Sequence, residues 1–374
     1  MPSLVKNYNS PTNPIWVVVS EPYNKDGEQG YLFSCGYGYN FKKIWSLAGL
    51  SYDDTHIRSL RPCLGATYNI DVSISNFHAE VEKYKPAIIV PLHDEILNYL
   101  VPVTKQIKEK NSSLRKWAGS ILQSPKLKYP HYVIGSHDPS WVTANWDYYE
   151  IQAFIDFGHV RDEFKYYCAN NFLQPLPIRR LITEPPFDTL IDYLRSCIED
   201  YKNGRIKFVS HDIETIRPKK KSFYQLNGHP GYPYTCAIAK SPWEGISFSF
   251  WDYPPDQSII LWRVLNELFT TVPQIGQNYF LFDSHYMEAL GFNLCLEHCQ
   301  DTYFRHHILW PGLEHKLQFQ TKQYTRQSFY KDEGKNWSSK NKGQLFRYNA
   351  LDATVTFEIF EEQEKEFDDR PHLR

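Results

Sequence analysis

The sequence predicts two α/β domains that join near residue 175. Continuous apolar runs, of which residues 15–19 are the clearest, are typical of strands buried on both faces of a parallel sheet. Stretches with helical spacing of apolar residues separate these runs in both halves of the chain. Strands that alternate with helices favour a parallel sheet covered on both faces. The length of 374 residues suits two domains, and a Pro-rich break at residues 174–177 marks their boundary.

The first domain is predicted over residues 15–173, behind a flexible polar arm at residues 1–14. Its strands are expected at residues 15–19, 85–91 and 132–135. Its helices are expected at residues 41–50, near residues 96–100 and at residues 146–157. Gly158 is expected to end the last helix, because glycine commonly follows a final helical turn.

The second domain is predicted over residues 178–374. Two prolines at 185 and 186 open a helix expected through residue 198, and an Asn-Gly turn leads into a strand at residues 206–210. Further strands at residues 235–239 and 245–250 precede a helix at residues 258–269. The polar stretch 331–342 predicts a mobile loop, and the charged end at residues 361–374 predicts a helix tail that frays.

Composition limits the classes of function. The formal net charge is −2, so no overall basic surplus indicates a nucleic-acid partner, and local basic runs would have to attract one. The seven cysteines lack CxxC spacing, which argues against the usual zinc or iron–sulphur sites. They fit a reducing compartment, the cytoplasm, or the host cytoplasm if the protein is viral. No apolar run approaches the length of a membrane span, so no membrane partner is expected.

Asp212 and Glu214 lie two residues apart at the end of a predicted strand. Positions i and i+2 of a strand point to the same face, so both carboxylates reach the same space. Magnesium prefers such oxygen ligands together with substrate phosphates. Two ions about 3.5–4 Å apart can stabilise both the attacking and the leaving oxygen of a displacement. Taken alone, however, such a pair is more often a solvated sheet edge.

Two more segments carry matching groups. Asp283 follows an apolar run at residues 279–282, and Tyr348 lies one helical turn before Asp352 on the same predicted face. The Tyr348 hydroxyl would orient the attacking water. Each feature has an ordinary explanation, since Asp283 can cap a helix and the other two can be surface neighbours. The order and spacing of the three segments together predict a site for two divalent ions.

Residues of about 178–368 resemble the DEDDy 3′–5′ exonucleases, the proofreading domains of DNA polymerases. The resemblance is carried by D-x-E at Asp212 and Glu214, N-x-x-x-F-D at Asn278, Phe282 and Asp283, and Y-x-x-x-D at Tyr348 and Asp352. It implies an RNase H-like α/β fold and two Mg²⁺ or Mn²⁺ ions held by the four carboxylates. It also implies release of 5′-nucleotides from the 3′ end of DNA.

The same resemblance implies contacts with DNA. Thr215, Asn278 and Phe282 would contact the terminal nucleotide. Lys219, Lys220 and Lys221 follow the first motif and would attract the phosphate backbone, although a solvated lysine loop is an equally good interpretation. The expected partners are a single-stranded or frayed 3′ end and a polymerase domain or subunit, as in proofreading by a phage-like polymerase. The chain ends soon after Asp352, so polymerisation is expected elsewhere, in another chain or in a further part of a longer one.

Residues of about 15–170 are similar to the uracil-DNA glycosylase superfamily. The similarity is carried by Ser20-Glu21-Pro22, the segment 32–38 with Phe33, Arg61-Pro62, and His137-Asp138-Pro139-Ser140. It implies a parallel-sheet fold with Phe33 beside a flipped base. Glycines are missing on both sides of Glu21-Pro22, and His56 stands where a base-reading Asn is expected. We therefore expect an inactive, degenerate domain that binds DNA or a partner, with Glu21, Phe33, His56 and His137 as remnants of the site.

Two other functions stay open. The first is a base-excision enzyme of the uracil-DNA glycosylase type, which an assay for abasic sites in uracil-containing DNA would reveal. The second is a non-catalytic DNA-binding accessory of a polymerase. The complete set of four carboxylates argues against the second function, because a protein that only binds DNA has no use for it.

Overall fold

The computed structural model describes residues 6–23, 26, 30–61, 70–102, 113–216, 225–226, 229–332, 334 and 342–373. The chain forms two compact units. Unit 1 comprises Met1–Leu176 and the short segment Arg326–Phe329, and unit 2 comprises Pro177–Thr325 and Tyr330–Arg374. Each unit contains a sheet with helices packed on it, which confirms the predicted α/β class.

The sheet of unit 1 has the strand order β2-β1-β3-β5-β4. Neighbouring strands are parallel except at one edge, where β4 runs antiparallel to β5. The predicted parallel sheet is therefore confirmed apart from this edge, and the sequence did not reveal β2. The strands are β1 (Ile15–Val19), β2 (Thr55–Ser59), β3 (Ile88–Pro91), β4 (Ile121–Leu122) and β5 (Tyr132–Ile134).

Helices cover both faces of this sheet. Alternate residues of β1 enter two different cores, with Val17 packed in one and Trp16 in the other. This division explains why the whole strand is apolar. The helices are α1 (Gly36–Leu47), α2 (Ile70–Tyr84), α3 (Asp94–Leu100), α4 (Leu114–Trp117), α5 (Pro139–Ala144) and α6 (Trp146–Asn170).

Two predictions for unit 1 are wrong. The described part of the arm is not loose, because the main chains of Tyr8 and Ile57 exchange hydrogen bonds of 2.9 and 3.0 Å. Gly158 does not end its helix, since α6 continues to Asn170. The buried side chains of Phe157 and Val160 pack in the core on either side of the glycine. Their burial outweighs the roughly 1 kcal/mol that a glycine costs inside a helix.

The sheet of unit 2 has the order β13-β12-β7-β10-β11-β6. Its centre, β7-β10-β11, is an antiparallel meander, and the outer pairs are parallel. A two-stranded ribbon of β8 and β9 stands apart from it. The strands are β6 (Arg180–Thr183), β7 (Val209–Ile216), β8 (Gln225–Leu226), β9 (His229–Pro230), β10 (Tyr232–Ser241), β11 (Glu244–Ser249), β12 (Gln274–Gly276) and β13 (Gln300–Asp301).

The helices of unit 2 include one long helix, α12, which packs on the central strands of the sheet. Small residues allow this close approach, because Ala237 and Ala239 of β10 form a buried cluster with Ala353 of α12. The helices are α7 (Phe187–Lys202), α8 (Pro255–Thr271), α9 (Asp283–Ala289), α10 (Thr302–Leu309), α11 (Leu317–Tyr324) and α12 (Lys342–Asp369).

The end of the chain does not fray as expected. In α12, Gln363 is fully buried and Phe367 is almost so. Glu366 accepts a 2.9 Å hydrogen bond from the Trp310 indole, and Glu364 forms an ion pair with Arg305. The charged composition misled the prediction, because one side of this helical segment, with Gln363, Glu364, Glu366 and Phe367, packs on or binds neighbouring elements.

The described residues contain no helix that combines the length and the apolar character needed to cross a lipid bilayer.

Candidate metal centre

Strand β7 carries the first acidic pair. The strand begins at Val209, three residues later than the predicted start, and runs to Ile216. Asp212 and Glu214 therefore lie inside it and not at its end, opposite Ala237 and Thr235 of β10. Because side chains alternate along a strand, the two carboxylates share the face on which α12 packs.

Helix α12 brings a third carboxylate to this face. Oxygen atoms of Asp212, Glu214 and Asp352 all lie within 4.8 Å of one another. We call these three residues the acidic cluster. Asp352 is 4% exposed, so the cluster is formed by tertiary packing and is not a chance group of surface acids. Sequence positions far apart thus converge as the motifs predict.

Asp283 is close to the cluster but makes a different contact. It is the first residue of α9 and is 3% exposed. Its Oδ1 accepts a 3.0 Å hydrogen bond from the main-chain N–H of Ile213, the residue between Asp212 and Glu214. The negative charge of Asp283 also contributes to raising the pKa of Asp212. The fourth predicted carboxylate therefore lies next to the strand that carries Asp212 and Glu214, outside the group of three.

Burial and mutual repulsion raise the pKa values of the carboxyl groups at this site. Burial, and then the charges of neighbouring carboxylates, raise the pKa of Asp212 well above its usual range. Burial and the charge of Asp352 likewise raise the pKa of Glu214 to about 8. Burial also raises the pKa of Asp283. A bound divalent cation would offset the repulsion between these carboxylates and favour their charged forms.

Tyr348 and Lys331 complete the immediate surroundings of Asp352. Tyr348 lies one turn before Asp352 on α12, as predicted. Lys331 donates from Nζ to Asp352 Oδ2 (2.5 Å) and to the Tyr348 hydroxyl oxygen (3.0 Å). Tyr330 donates its hydroxyl to Asp352 Oδ1 (2.6 Å). Lys331 belongs to the stretch predicted to be a mobile loop, and this part of the prediction is wrong because its ammonium group is fixed at the site.

Sequence reasoning assigned no role to several residues that shape the site. Besides Tyr330 and Lys331, these include Asn349, which binds Asp212, and Asp301. The carboxylate of Asp301 accepts hydrogen bonds from the main-chain N–H groups of Asn278 (2.9 Å) and Phe280 (3.2 Å). It thereby holds Asn278 in a left-handed conformation with φ of 59°. The position of Asn349 directly after Tyr348 could have drawn attention to it. Asp301 and the pair Tyr330-Lys331 lie in stretches that also resemble the exonuclease family, but the resemblance assigned them no contact.

The residues predicted to contact the terminal nucleotide differ in how exposed they are. Thr215 and Asn278 are partly exposed. Phe282 is partly buried against the core of unit 2, with its ring centroid 5.1 Å from that of Tyr286. At least part of its ring therefore packs against the core. The predicted phosphate-attracting residues Lys219, Lys220 and Lys221 lie outside the described residues.

An open cleft of about 380 Å³ adjoins the acidic cluster. Its wall includes Glu214 and Tyr348, and two lysines face it, Lys316 and Lys331. Gly334 closes over the Tyr348 ring so tightly that a Cβ on Gly334 would lie 2.7 Å from the ring carbon Cζ. The cleft therefore combines a carboxylate, a phenol and two ammonium groups at one place.

Unit 1 does not gather its four candidate residues. Glu21 lines an open cleft of about 1300 Å³. Phe33 is buried beneath Tyr23, whose ring stacks on it at 5.8 Å between centroids, and His137 packs on Tyr149 at 4.8 Å.

His56 does not occupy the expected base-reading place. Its ring packs on Trp16 at 4.8 Å, and Trp16 belongs to the core on the opposite face of the sheet from Phe33. The alternation of side chains along β2 accounts for this placement.

Comparisons with known proteins add little. No family model matches the sequence, and no curated protein matches it. Among solved structures, one similar chain is the POL domain of Pol1 from M. smegmatis in complex with DNA primer-template and dNTP. The identity is 12% and the TM-score is 0.36, and the match covers 52% of this chain and 28% of that one. Such a distant similarity carries no conclusion about activity.

Proposed function

We propose that this protein is a metal-dependent 3′–5′ exonuclease that removes 5′-nucleotides from the 3′ ends of DNA and serves proofreading in DNA replication. One observation carries the proposal. Asp212, Glu214 and Asp352 come from two distant segments, yet their oxygens lie within 4.8 Å of one another. Asp283 and Tyr348 lie beside them, in the order and spacing of the exonuclease motifs.

The donor set fits Mg²⁺ or Mn²⁺. Buried carboxylate oxygens are the ligands that these ions prefer, and no sulphur or imidazole takes part in the cluster. Asp212, Glu214 and Asp352 would hold the ions, and Asp283 would assist them. When bound, such ions make water more acidic and neutralise charge on the phosphate.

The other residues act on water and on the substrate. Lys331 donates to the Tyr348 oxygen, so the Tyr348 O–H proton points away from Lys331. A hydrogen bond with Asp352 keeps the hydroxyl beside the acidic cluster, where it would position a water molecule. Lys316 and Lys331 face the adjoining cleft and would attract the phosphate of the terminal nucleotide. The cleft volume lies within the range of small-ligand sites, which suits one nucleotide at a time.

A labelled single-stranded or 3′-recessed oligonucleotide tests the proposal. We expect stepwise shortening from the 3′ end with Mg²⁺ or Mn²⁺ and none with a chelator. Asp212→Ala combined with Glu214→Ala should abolish shortening and leave the protein folded, because both side chains are partly exposed and lie outside the hydrophobic core of unit 2. As a control, Asp188→Ala combined with Asp256→Ala removes two exposed carboxylates of the same unit. This variant should shorten the oligonucleotide at the wild-type rate.

A double variant that digests DNA at the wild-type rate would contradict the assignment. So would a wild-type protein that leaves every 3′ end intact with either ion present.

For unit 1 we propose a degenerate glycosylase-like domain without base-excision activity. Two observations support the proposal. Tyr23 already covers the face of Phe33, and its hydroxyl donates to Asp138 (3.0 Å), so the place beside Phe33 is filled by the chain itself. His56 is buried against Trp16 and does not line the cleft that Glu21 lines. Appearance of abasic sites in uracil-containing DNA would overturn this proposal.

A further inference from the structure

Asn349 is a fully buried side chain whose hydrogen bonds connect α12 to two strands. Its Nδ2 donates to Asp212 at both Oδ2 (2.6 Å) and the main-chain oxygen (3.1 Å). Its Oδ1 accepts a 2.7 Å hydrogen bond from the hydroxyl of Ser247, which is also fully buried. The amide thus lies between a carboxylate of the acidic cluster and a serine two strands away.

The sheet register explains how one short amide reaches both partners. Asp212 lies opposite Ala237, and Ala237 lies opposite Ser247, so the three residues form one row across β7, β10 and β11. Side chains in such a row share a face of the sheet. The middle residue is an alanine, which leaves room for the Asn349 amide between the two flanking polar groups.

The two oxygens of Asp212 determine which end of the amide faces them. An Asn amide has one accepting end and one donating end, and both Asp212 oxygens accept, so the NH₂ group must face them. The Ser247 hydroxyl then donates to the remaining amide oxygen and anchors the amide in this orientation. A flipped amide would place an oxygen against a negatively charged oxygen in a buried site, where such repulsion is strong.

We infer that Asn349, oriented by Ser247, is a positioning residue that holds the Asp212 carboxylate in the orientation that accepts a divalent ion. The inference rests on the proposed function in one respect, namely that Asp212 is a metal ligand. Groups that hydrogen-bond a ligating carboxylate fix its direction, and their loss typically weakens metal binding by roughly 10–100-fold. Asn349 and Ser247 are both fully buried, so they would act through Asp212 and not on the substrate itself.

The test compares Asn349→Ala and Ser247→Ala with Ser249→Ala as the matched control. Ser249 lies two residues further along β11, is 3% exposed, and accepts a 3.0 Å hydrogen bond from the Trp251 main-chain N–H. Titration calorimetry without DNA gives the dissociation constant for Mn²⁺. Thermal unfolding without metal gives the stability of each variant, and exonuclease rates across Mn²⁺ concentrations give the ion concentration at half-maximal rate.

We expect Asn349→Ala and Ser247→Ala to raise the Mn²⁺ dissociation constant roughly 10–100-fold. Saturating Mn²⁺ should restore much of their exonuclease rate, and Ser249→Ala should bind Mn²⁺ as the wild type does. Ser247→Ala removes a single oxygen, so it stays informative even if Asn349→Ala fails to fold.

Unchanged Mn²⁺ affinity in folded Ser247→Ala and Asn349→Ala would overturn the inference and leave these residues a structural role only. An equal loss of affinity in Ser249→Ala would overturn it as well. A wild-type protein that binds Mn²⁺ without degrading DNA would defeat the proposed exonuclease, while the dissociation constants would still decide the role of Asn349. A wild-type protein that binds no Mn²⁺ defeats both.

Discussion

Burial makes the carboxyl groups of Asp212 and Glu214 weak acids, and this has a consequence for stability. Glu214 has a pKa of about 8 in the folded chain, against an ordinary value of 4.5. Between these two pH values the folded state binds more protons than the unfolded state. Because stability falls with pH wherever the folded state holds the extra protons, metal-free protein should lose stability as the pH rises through this window.

Substitution of Glu214 by Gln tests this consequence. Glu214→Gln cannot ionise, so it should lose less stability than the wild type between about pH 5 and about pH 8 when a chelator is present. The measurement is the free energy of unfolding from urea titrations at both pH values. Equal pH dependence in the two proteins would show that Glu214 ionises normally in the folded chain.

The Tyr348 hydroxyl provides a second prediction at the residue scale. Tyr348→Phe should reduce kcat on the order of 100-fold, because a positioned proton-donating or water-orienting group typically contributes that much. The Mn²⁺ dissociation constant should stay close to the wild-type value, since the carboxylates remain. Tyr324→Phe is the matched control, because its hydroxyl binds Glu366 (3.0 Å) instead of the acidic cluster.

Loss of Mn²⁺ binding in Tyr348→Phe would contradict the water-orienting role and would indicate that the phenol supports the metal site itself.

At the scale of elements, the position of α12 on the sheet decides whether Asp352 and Asn349 reach β7. Gly245 lies under this helix, where a Cβ would come within 2.8 Å of the Thr354 methyl group and 3.3 Å of the Ala350 carbonyl oxygen. Gly245→Ala should therefore lift the helix, lower the free energy of unfolding by about 1–3 kcal/mol and weaken Mn²⁺ binding. Urea unfolding and calorimetry measure the two effects.

Gly312→Ala serves as the control, because a Cβ at Gly312 would meet nothing within 4 Å. A stable Gly245→Ala variant with wild-type Mn²⁺ affinity would show that α12 can shift without disturbing the cluster.

At the scale of the whole molecule, each unit has its own hydrophobic cores, and the acidic cluster belongs to unit 2 alone. Mn²⁺ at 100 times its dissociation constant should stabilise unit 2 by about 2.7 kcal/mol. Scanning calorimetry should show a higher transition temperature for unit 2 and an unchanged one for unit 1. In the variant with both Asp212→Ala and Glu214→Ala, Mn²⁺ should change neither temperature. A higher transition temperature in that variant would show that the ion binds outside the acidic cluster.

The sequence alone was enough to predict the α/β class, about half of the strands and helices, and the spacing of the carboxylates along the chain. These features depend on local periodicity, as in the apolar run of β1 or the one-turn separation of Tyr348 and Asp352. The wrong predictions also came from local sequence patterns. Gly158 and the charged end of α12 follow patterns that usually end a helix, and burial against other elements outweighed those patterns.

Which side chains of distant segments contact one another depends on the tertiary structure. Asn349 and Ser247 lie 102 residues apart, and their contact depends on the register of three strands and on the small Ala237 between the partners. His56 was excluded from the place expected for it because strand alternation directs it to the other face of the sheet. Periodicity sets the direction of a side chain within its own element, whereas the packing of distant elements sets what that side chain touches.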